Sequence, residues 1–206
     1  MVVHMNSLRG FLRATQSWVF FQTLTDSTGY FKNSELRSFV DSTNLFDELE
    51  SGLELGTFEG IASLYIAKFT KIQSIKTIDP FPDKDAGSNG VSSSTRSNFL
   101  RNYKVSPVKK KVFQLRMTSD SFFASNQDTF DFIYIDGSHE PTQVIRDLEN
   151  SLKVLRPGGL MWIDDVKSDY EVNQVSLGQV IRNWILMNDS ILYKIHDGYQ
   201  VGLLKT

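Results

Sequence analysis

Residues 130–166 read FDFIYIDGSHEPTQVIRDLENSLKVLRPGGLMWIDDV, and this stretch decides the fold. Phe132-Ile133-Tyr134-Ile135 is short, apolar and rich in β-formers without strict alternation, the pattern of a strand buried on both faces. From Glu140 to Leu155, apolar residues fall at Val144, Ile145, Leu148, Leu152 and Leu155, which is one stripe of a helix. Pro141 suits the first turn, where its missing N–H costs nothing. Pro157-Gly158-Gly159 is predicted to stop the helix. Leu160-Met161-Trp162-Ile163 follows as the next buried strand. A right-handed strand–helix–strand crossover makes the strands parallel, so their C-terminal ends share one edge. Ligands of open α/β sheets bind at that edge. Asp136 and His139 after one strand, and Asp164 and Asp165 after the other, are therefore predicted to meet in a cleft. Three carboxylates there repel one another unless a cation, a proton or a basic ligand group compensates.

A length of 206 residues suits one domain with a sizeable core. The absence of cysteine excludes disulfides, thiolate metal sites and cysteine nucleophiles. No apolar run approaches the length that spans a bilayer. The N-terminus lacks a basic segment followed by an apolar core, so the expectation is no secretory signal, no membrane association and a cytoplasmic location. A net charge of -2 gives no global pull toward nucleic acid. The local run Lys109-Lys110-Lys111 reads as a solvated turn before a strand.

Outward from the central unit, the β/α pattern continues in both directions. Leu53-Glu54-Leu55 is a strand, Gly56 to Gly60 a tight turn, and Ile61, Leu64, Tyr65 and Phe69 line a helix. Ile75 to Ile78 is a second strand ending at Asp79. Pro80 to Ser94, rich in Pro, Gly, Ser, Asn and Asp, reads as a mobile loop and a candidate active-site flap. A helix over Thr95 to Tyr103, a third strand over Val112 to Leu115 and a short helix over Ser119 to Ala124 follow. Beyond Asp165 come a polar loop, Lys167 to Asn173, and a helix that ends near Asn188. Ile191–Ile195 and Tyr199–Leu204 flank His196-Asp197-Gly198, a hairpin signal. The predicted fold is α/β: a doubly wound, seven-stranded, mostly parallel sheet closed by an antiparallel hairpin. Residues 1–50 form an N-terminal helical lid or cap, with a helix from about Ser7 to Leu24 and a second, capped by Ser34, that carries Leu36, Phe39 and Val40. Their alternatives are covering one end of the sheet, or offering a substrate or partner surface, including a homo-oligomer contact. His4 and His196 read as incidental.

Glu54-Leu55-Gly56-Thr57-Phe58-Glu59-Gly60 is acidic-x-Gly-x-x-x-Gly at a strand-to-helix turn. Gly56 allows the sharp turn, Gly60 lets the helix pack close, and the missing side chains leave room for a ligand. Phe58 stands where a dinucleotide fold carries its second glycine, which argues against a nicotinamide enzyme. Asp79, some twenty residues on, is placed to accept hydrogen bonds from ribose hydroxyls. Ser119-Asp120 can reach an adenine ring, or Ser119 is only a helix cap.

ELGTFEG, TIDP, FDFIYIDGSHE, LRPGGLMWIDD and the terminal hairpin together resemble class I S-adenosylmethionine-dependent methyltransferases over residues 51–206. IDGSH followed by an acidic pair is similar to the metal-dependent O-methyltransferases related to macrocin-type sugar methyltransferases. The resemblance implies S-adenosyl-L-methionine at Glu54, Gly56, Thr57, Gly60, Asp79, Ser119, Asp120 and Asp136. It implies Mg²⁺ or another divalent cation at Asp136, Asp164 and Asp165, with His139 as base beside Asp136. Asp164 departs from those relatives, which often carry Glu there. An all-oxygen site suits a hard cation, which acidifies a bound hydroxyl for a nearby imidazole. The implied acceptor is a small-molecule hydroxyl of sugar or phenol type. Amine methylation in nucleic acid is disfavoured, because Asp136-Gly137-Ser138-His139 replaces the Asn/Asp-Pro-Pro-aromatic signature. The other class kept open is a catalytically silent, methyltransferase-like binding or scaffold protein, which calorimetry with the cofactor would separate.

Overall fold

The computed structural model describes residues 2–81 and 93–206, with side chains over 13–81 and 94–206. Five strands, β1 (Ser51–Leu55), β2 (Ser74–Ile78), β3 (Val112–Leu115), β4 (Phe130–Ile135) and β5 (Leu155–Ile163), pair in parallel. A two-residue pair, β6 (Glu171–Val172) and β7 (Val175–Ser176), forms its own small hairpin. The terminal strands β8 (Leu192–Asp197) and β9 (Val201–Lys205) close the main sheet antiparallel, in the order β3-β2-β1-β4-β5-β9-β8. The chain winds outward from β1 in one direction and from β4 in the other, so β1 and β4 flank the switch point where such sheets bind ligands.

Why the central strands run without alternation is visible in their packing. Phe132, Tyr134, Leu160 and Trp162 enter the core on one face of the sheet, while Ile133, Ile135, Met161 and Ile163 enter the core on the other. Among the described residues, seven α-helices cover these faces: α1 (Val2–Thr23), α2 (Glu35–Ser42), α3 (Ile61–Phe69), α4 (Ser93–Val105), α5 (Ser119–Ser125), α6 (Pro141–Val154) and α7 (Leu177–Met187). The predicted capping of α2 holds, with Ser34 Oγ accepting from the Arg37 N–H at 3.1 Å. At α6, Pro141 is the first helical residue and the Glu140 carboxylate accepts from the Gln143 N–H at 2.9 Å.

Several expectations shift. The α6 helix stops at Val154, before Pro157-Gly158-Gly159. Lys205 Nζ donates to the Leu152 and Leu155 carbonyls at 2.8 and 2.7 Å and so ends the helix from outside. The Pro-Gly-Gly segment instead lies within β5 as a bulge, since Phe130 pairs with Leu155 but Phe132 with Leu160. The loop expected over Lys167–Asn173 carries β6, which turns into β7 through Asn173 and Gln174, both at positive φ. The lysine run is an exposed 3₁₀ turn, as read. The candidate flap falls mainly on residues 82–92, which lie outside the described residues, and its last two residues begin α4.

The N-terminal segment covers a face of the sheet and not its end. Phe20, Leu24, Phe31, Leu36, Val40, Phe46 and Leu49 share one core with α3, Phe132, Tyr134 and Trp162. Phe46 meets Phe132 edge-on at 5.2 Å, and Phe39 lies 4.8 Å from Trp162. Truncation of such a buried ring costs about 3–5 kcal/mol. Phe46→Ala should therefore lower the stability of the whole chain by that order in a single cooperative denaturant transition. A loss below about 0.5 kcal/mol, the size of a surface change, would show that this segment is a detachable cap.

Candidate active site

The strand-to-helix turn after β1 is built around two glycines whose hydrogens face protein. Gly56 has φ +96°, and a Cβ there would sit 1.8 Å from the Asp136 carbonyl oxygen. A Cβ on Gly60, at φ +74°, would sit 2.7 Å from the Phe99 ring. The space that sequence reading assigned to a ligand is thus taken by the end of β4 and by α4. Thr57 turns its hydroxyl inward to Thr77, 2.6 Å away. Glu54 is also turned into the core, where Ser63 and Thr77 donate to one carboxylate oxygen. Burial pushes Glu54 up to about 7, against the hydrogen bonds of Ser63 and Thr77. Glu54 and Thr57 therefore shape the turn from beneath.

Asp79 sits at the end of β2 beside this turn. Its carboxylate accepts from the Phe58 N–H at 3.1 Å and the Phe81 N–H at 2.7 Å. Burial raises its pKa, and those N–H bonds oppose the rise. It is the group of the predicted cofactor set whose chemistry fits a nucleoside best: a carboxylate acceptor at the turn, holding N–H groups that ribose hydroxyls can replace. Ser119 and Asp120 lie at the start of α5, where Gln143 Nε2 donates to Ser119 Oγ at 3.2 Å, Asp120 Oδ1 at 3.1 Å and Asp147 Oδ1 at 3.0 Å. The cap of α5 is Thr118, not Ser119.

The central prediction brings together four residues, and they meet as two linked pairs. Tyr134 OH donates to Asp136 Oδ2 at 2.8 Å and lies 3.2 Å from Asp164 Oδ2. Gln200 Nε2 donates to the same Asp164 oxygen at 2.9 Å. The other Asp164 oxygen accepts the Asp165 N–H at 2.7 Å. Asp165 has φ +61°, a left-handed corner unusual for a residue with a Cβ. That corner aims its carboxylate at His139 Nε2, 2.8 Å from Oδ2, and at Tyr199 OH, 2.7 Å from Oδ1. The Tyr170 ring stands edge-on to His139 at 6.0 Å.

Electrostatics separates the two pairs. Burial, and next the charge of Asp164, hold Asp136 well above the usual carboxylate range. Burial and the charge of Asp165 raise Asp164 as well. Both shifts favour a proton, or a nearby positive charge, on this pair. Burial alone would raise Asp165, but the bonds from His139 and Tyr199 bring it below its ordinary value. The Asp165 hydrogen bond raises His139 in turn, against burial. Burial and then Asp165 push Tyr199 to about 12, which keeps its hydroxyl a donor.

The cation expectation meets this geometry directly. Both oxygens of Asp164 and both of Asp165 contact protein groups, so to hold a cation these carboxylates would have to share or give up those bonds. Among the described residues, no group of three or more His, Asp or Glu side chains is gathered to hold a metal ion. Sequence reading missed the donors responsible: Tyr134, Tyr199 and Gln200. Only Tyr134 carried a signal, since a buried tyrosine hydroxyl needs a partner. Gln200 sits in the terminal hairpin, and nothing in the pattern pointed to it.

A family model for a methyltransferase domain matches residues 53–166, from β1 through Asp164-Asp165. The chain belongs to this methyltransferase family. No individual curated protein sequence matches it. Solved structures agree on the fold. The O-methyltransferase TomG from Streptomyces achromogenes, solved with S-adenosylmethionine, is 17% identical, with a TM-score of 0.62, 96% of this chain covered and 90% of that one. The methyltransferase PaMTH1 from Podospora anserina, solved with S-adenosylhomocysteine, is 15% identical, with a TM-score of 0.62 and coverage of 93% and 87%. An O-methyltransferase from Bacillus cereus, solved with S-adenosylhomocysteine, is 17% identical, with a TM-score of 0.56 and coverage of 94% and 88%. The methyltransferase shares with them the sheet that carries its turn and its acidic edge.

Glu54 makes the inward design of the turn testable. Its folded carboxyl, at about 7, holds a proton more tightly than the unfolded one, whose ordinary value is 4.5. Its contribution to stability is full below the unfolded value and lost as pH rises through the folded one. Denaturant unfolding at about pH 5 and about pH 8 should show wild type losing more stability across that window than Glu54→Gln. An identical loss in both proteins would mean that Glu54 is already ionised at the lower pH.

Proposed function

We propose that this methyltransferase uses S-adenosyl-L-methionine to methylate a hydroxyl of a small-molecule acceptor, with His139 taking the acceptor proton. The observation that carries the reading is the His139–Asp165 pair at 2.8 Å on the sheet edge beside the switch point. The family match supports methyl transfer, and the solved relatives named above as O-methyltransferases support oxygen as the acceptor atom. S-adenosylmethionine, when bound, supplies a methyl group on a sulfonium. Asp79 would hold the ribose, giving up its Phe58 and Phe81 N–H partners.

Asp165 orients the imidazole through Nε2 and stabilises the imidazolium that forms when a proton arrives, while Tyr199 fixes Asp165 from its other side. Tyr170, which faces His139 and is 42% exposed, offers an aromatic wall beside the acceptor. A second reading, in which Asp136, Asp164 and Asp165 bind Mg²⁺ or another divalent cation, draws support from one observation. Asp136 and Asp164 lie half-buried side by side, and among the described residues their side-chain partners are Tyr134 and Gln200, neither of them cationic. In that case Tyr134 and Gln200 would have to release their oxygens. No described helix is long and apolar enough to cross a membrane.

Calorimetry with S-adenosylhomocysteine tests the cofactor. Removing a charge-assisted acceptor costs about 1.5–3 kcal/mol, so Asp79→Ala should weaken binding by roughly ten- to a hundredfold. Equal affinity would mean that the ribose lies elsewhere. For the base, His139→Ala should lower kcat on the order of a hundredfold while sparing cofactor affinity. The base works neutral, and Asp165 raises its pKa, so kcat should climb with pH through a value above the ordinary 6.5. Full activity in His139→Ala would remove the base. With the donors arranged as they are, turnover should survive exhaustive chelation, and its loss would establish the cation reading instead.

A further inference from the structure

The side chain of Gln200 is fully buried and makes contacts on both sides of its amide. Its oxygen accepts from the Leu36 N–H at 2.8 Å and the Trp162 Nε1–H at 3.0 Å. Its nitrogen donates to Asp164 Oδ2 at 2.9 Å and lies 3.4 Å from Tyr134 OH. The first of these contacts fills an orphan donor in the opening turn of α2. Glu35, one residue earlier, returns the bond: its carboxylate accepts from the Tyr199 N–H at 3.0 Å and the Gln200 N–H at 2.8 Å. It also bonds His196 at 2.9 Å, and His196 stacks on Trp162 at 5.0 Å. The start of α2 and the tip of the β8–β9 hairpin are therefore locked reciprocally, each side chain satisfying the other segment's backbone.

This lock reaches the base. Gln200 holds one oxygen of Asp164, and the other oxygen of Asp164 holds the Asp165 N–H. Asp165 stands in a left-handed conformation at φ +61°, which is stable only where its surroundings impose it. The direction of that corner sets where the Asp165 carboxylate meets His139. We infer that Gln200 is a positioning residue for the reaction, acting through Asp164 and Asp165 on His139. The same inference makes the docking of α2 by Glu35 and Gln200 part of the active edge. It rests on the assignment of His139 as base.

Without Gln200, Asp164 loses the closer of its two side-chain donors and is freer to turn, and the oxygen that pins the Asp165 N–H turns with it. A misplacement of this size at a base lowers turnover without touching the cofactor turn after β1, so Gln200→Leu should lower kcat on the order of ten- to a hundredfold. Affinity for S-adenosylhomocysteine should stay within about twofold. A purely structural role would lower stability and leave kcat per folded molecule unchanged, and that result would overturn the inference. Pairing Gln200→Leu with Asp165→Asn sharpens the test, because residues acting in series do not add. The double variant should lose little beyond Asp165→Asn alone, whereas losses that multiply fully would put Gln200 on an independent route and refute the inference.

If Gln200→Leu does not fold, Glu35→Ala weakens the same lock from the other side, at a half-exposed position. It should lower kcat in the same direction, with partial recovery in Glu35→Gln, which keeps an acceptor oxygen. A folded Glu35→Ala variant with wild-type kcat would break the link to α2. Hydrogen exchange separates these outcomes from failure of the functional reading. If wild type methylates no acceptor, the function falls, but the Asp165 amide still reports on the chain of contacts. It should exchange at least about tenfold faster in the lock variants than in wild type, as expected when a local hydrogen bond loosens. An unchanged rate would refute the positioning chain by itself.

Discussion

Two carboxylates, Asp136 and Asp164, end neighbouring parallel strands half-buried and side by side, where each disfavours the charge of the other. The edge of the sheet is organised to meet that demand. The Tyr134 hydroxyl lies between them, and the Gln200 amide donates to Asp164. Asp164 can then accept the N–H of Asp165, and the left-handed corner that results turns the Asp165 carboxylate outward to His139 and Tyr199. One inward-facing pair thus holds one outward-facing pair. The inner pair is raised toward its protonated form, while the outer pair has its acid lowered and its imidazole raised. Divergent environments of this kind commonly mark groups with chemical roles.

The same demand explains why the N-terminal segment is integral. Gln200 can donate to Asp164 only if its oxygen is also satisfied, and it takes the Leu36 N–H and the Trp162 indole for this. The aromatic layer of Phe39, Phe46, Phe132 and Trp162 presses α2 and the segment after it onto the sheet. A second tie runs at the glycine turn after β1, where the buried Glu59 carboxylate accepts the Ser27 N–H and the Asn98 amide at 2.8 and 2.6 Å. The family match begins at residue 53, yet both ends of the candidate site are fastened to residues before it.

Much of this was legible in the sequence, and the limits have physical reasons. Strands buried on both faces announce themselves as unbroken apolar runs, so β4, β5 and the crossover between them were readable to within a few residues. The hairpin and the glycine turn were readable because turn chemistry is local. The end of α6 was readable to one residue, but the part played by Pro157-Gly158-Gly159 was not, because it bulges within β5 and leaves the last carbonyls to a lysine fifty residues away in sequence. The acidic edge was half readable. Which residues arrive at the edge follows from topology, but which way each carboxylate turns depends on donors such as Gln200 and Tyr199, which come from a distant hairpin. The inward orientation of Glu54 was hidden for the same reason, since Ser63 and Thr77 lie on other elements.

On the proposed reading, the Asp165 carboxylate aimed at His139 holds the imidazole ready for a proton. A nitrogen-15 NMR titration of His139 in the wild-type protein measures this without any acceptor in hand. A pKa above the ordinary 6.5 is expected, because the Asp165 hydrogen bond outweighs burial, with a fall toward or below that value in Asp165→Asn. A wild-type value at or below 6.5 that does not move in Asp165→Asn would contradict it.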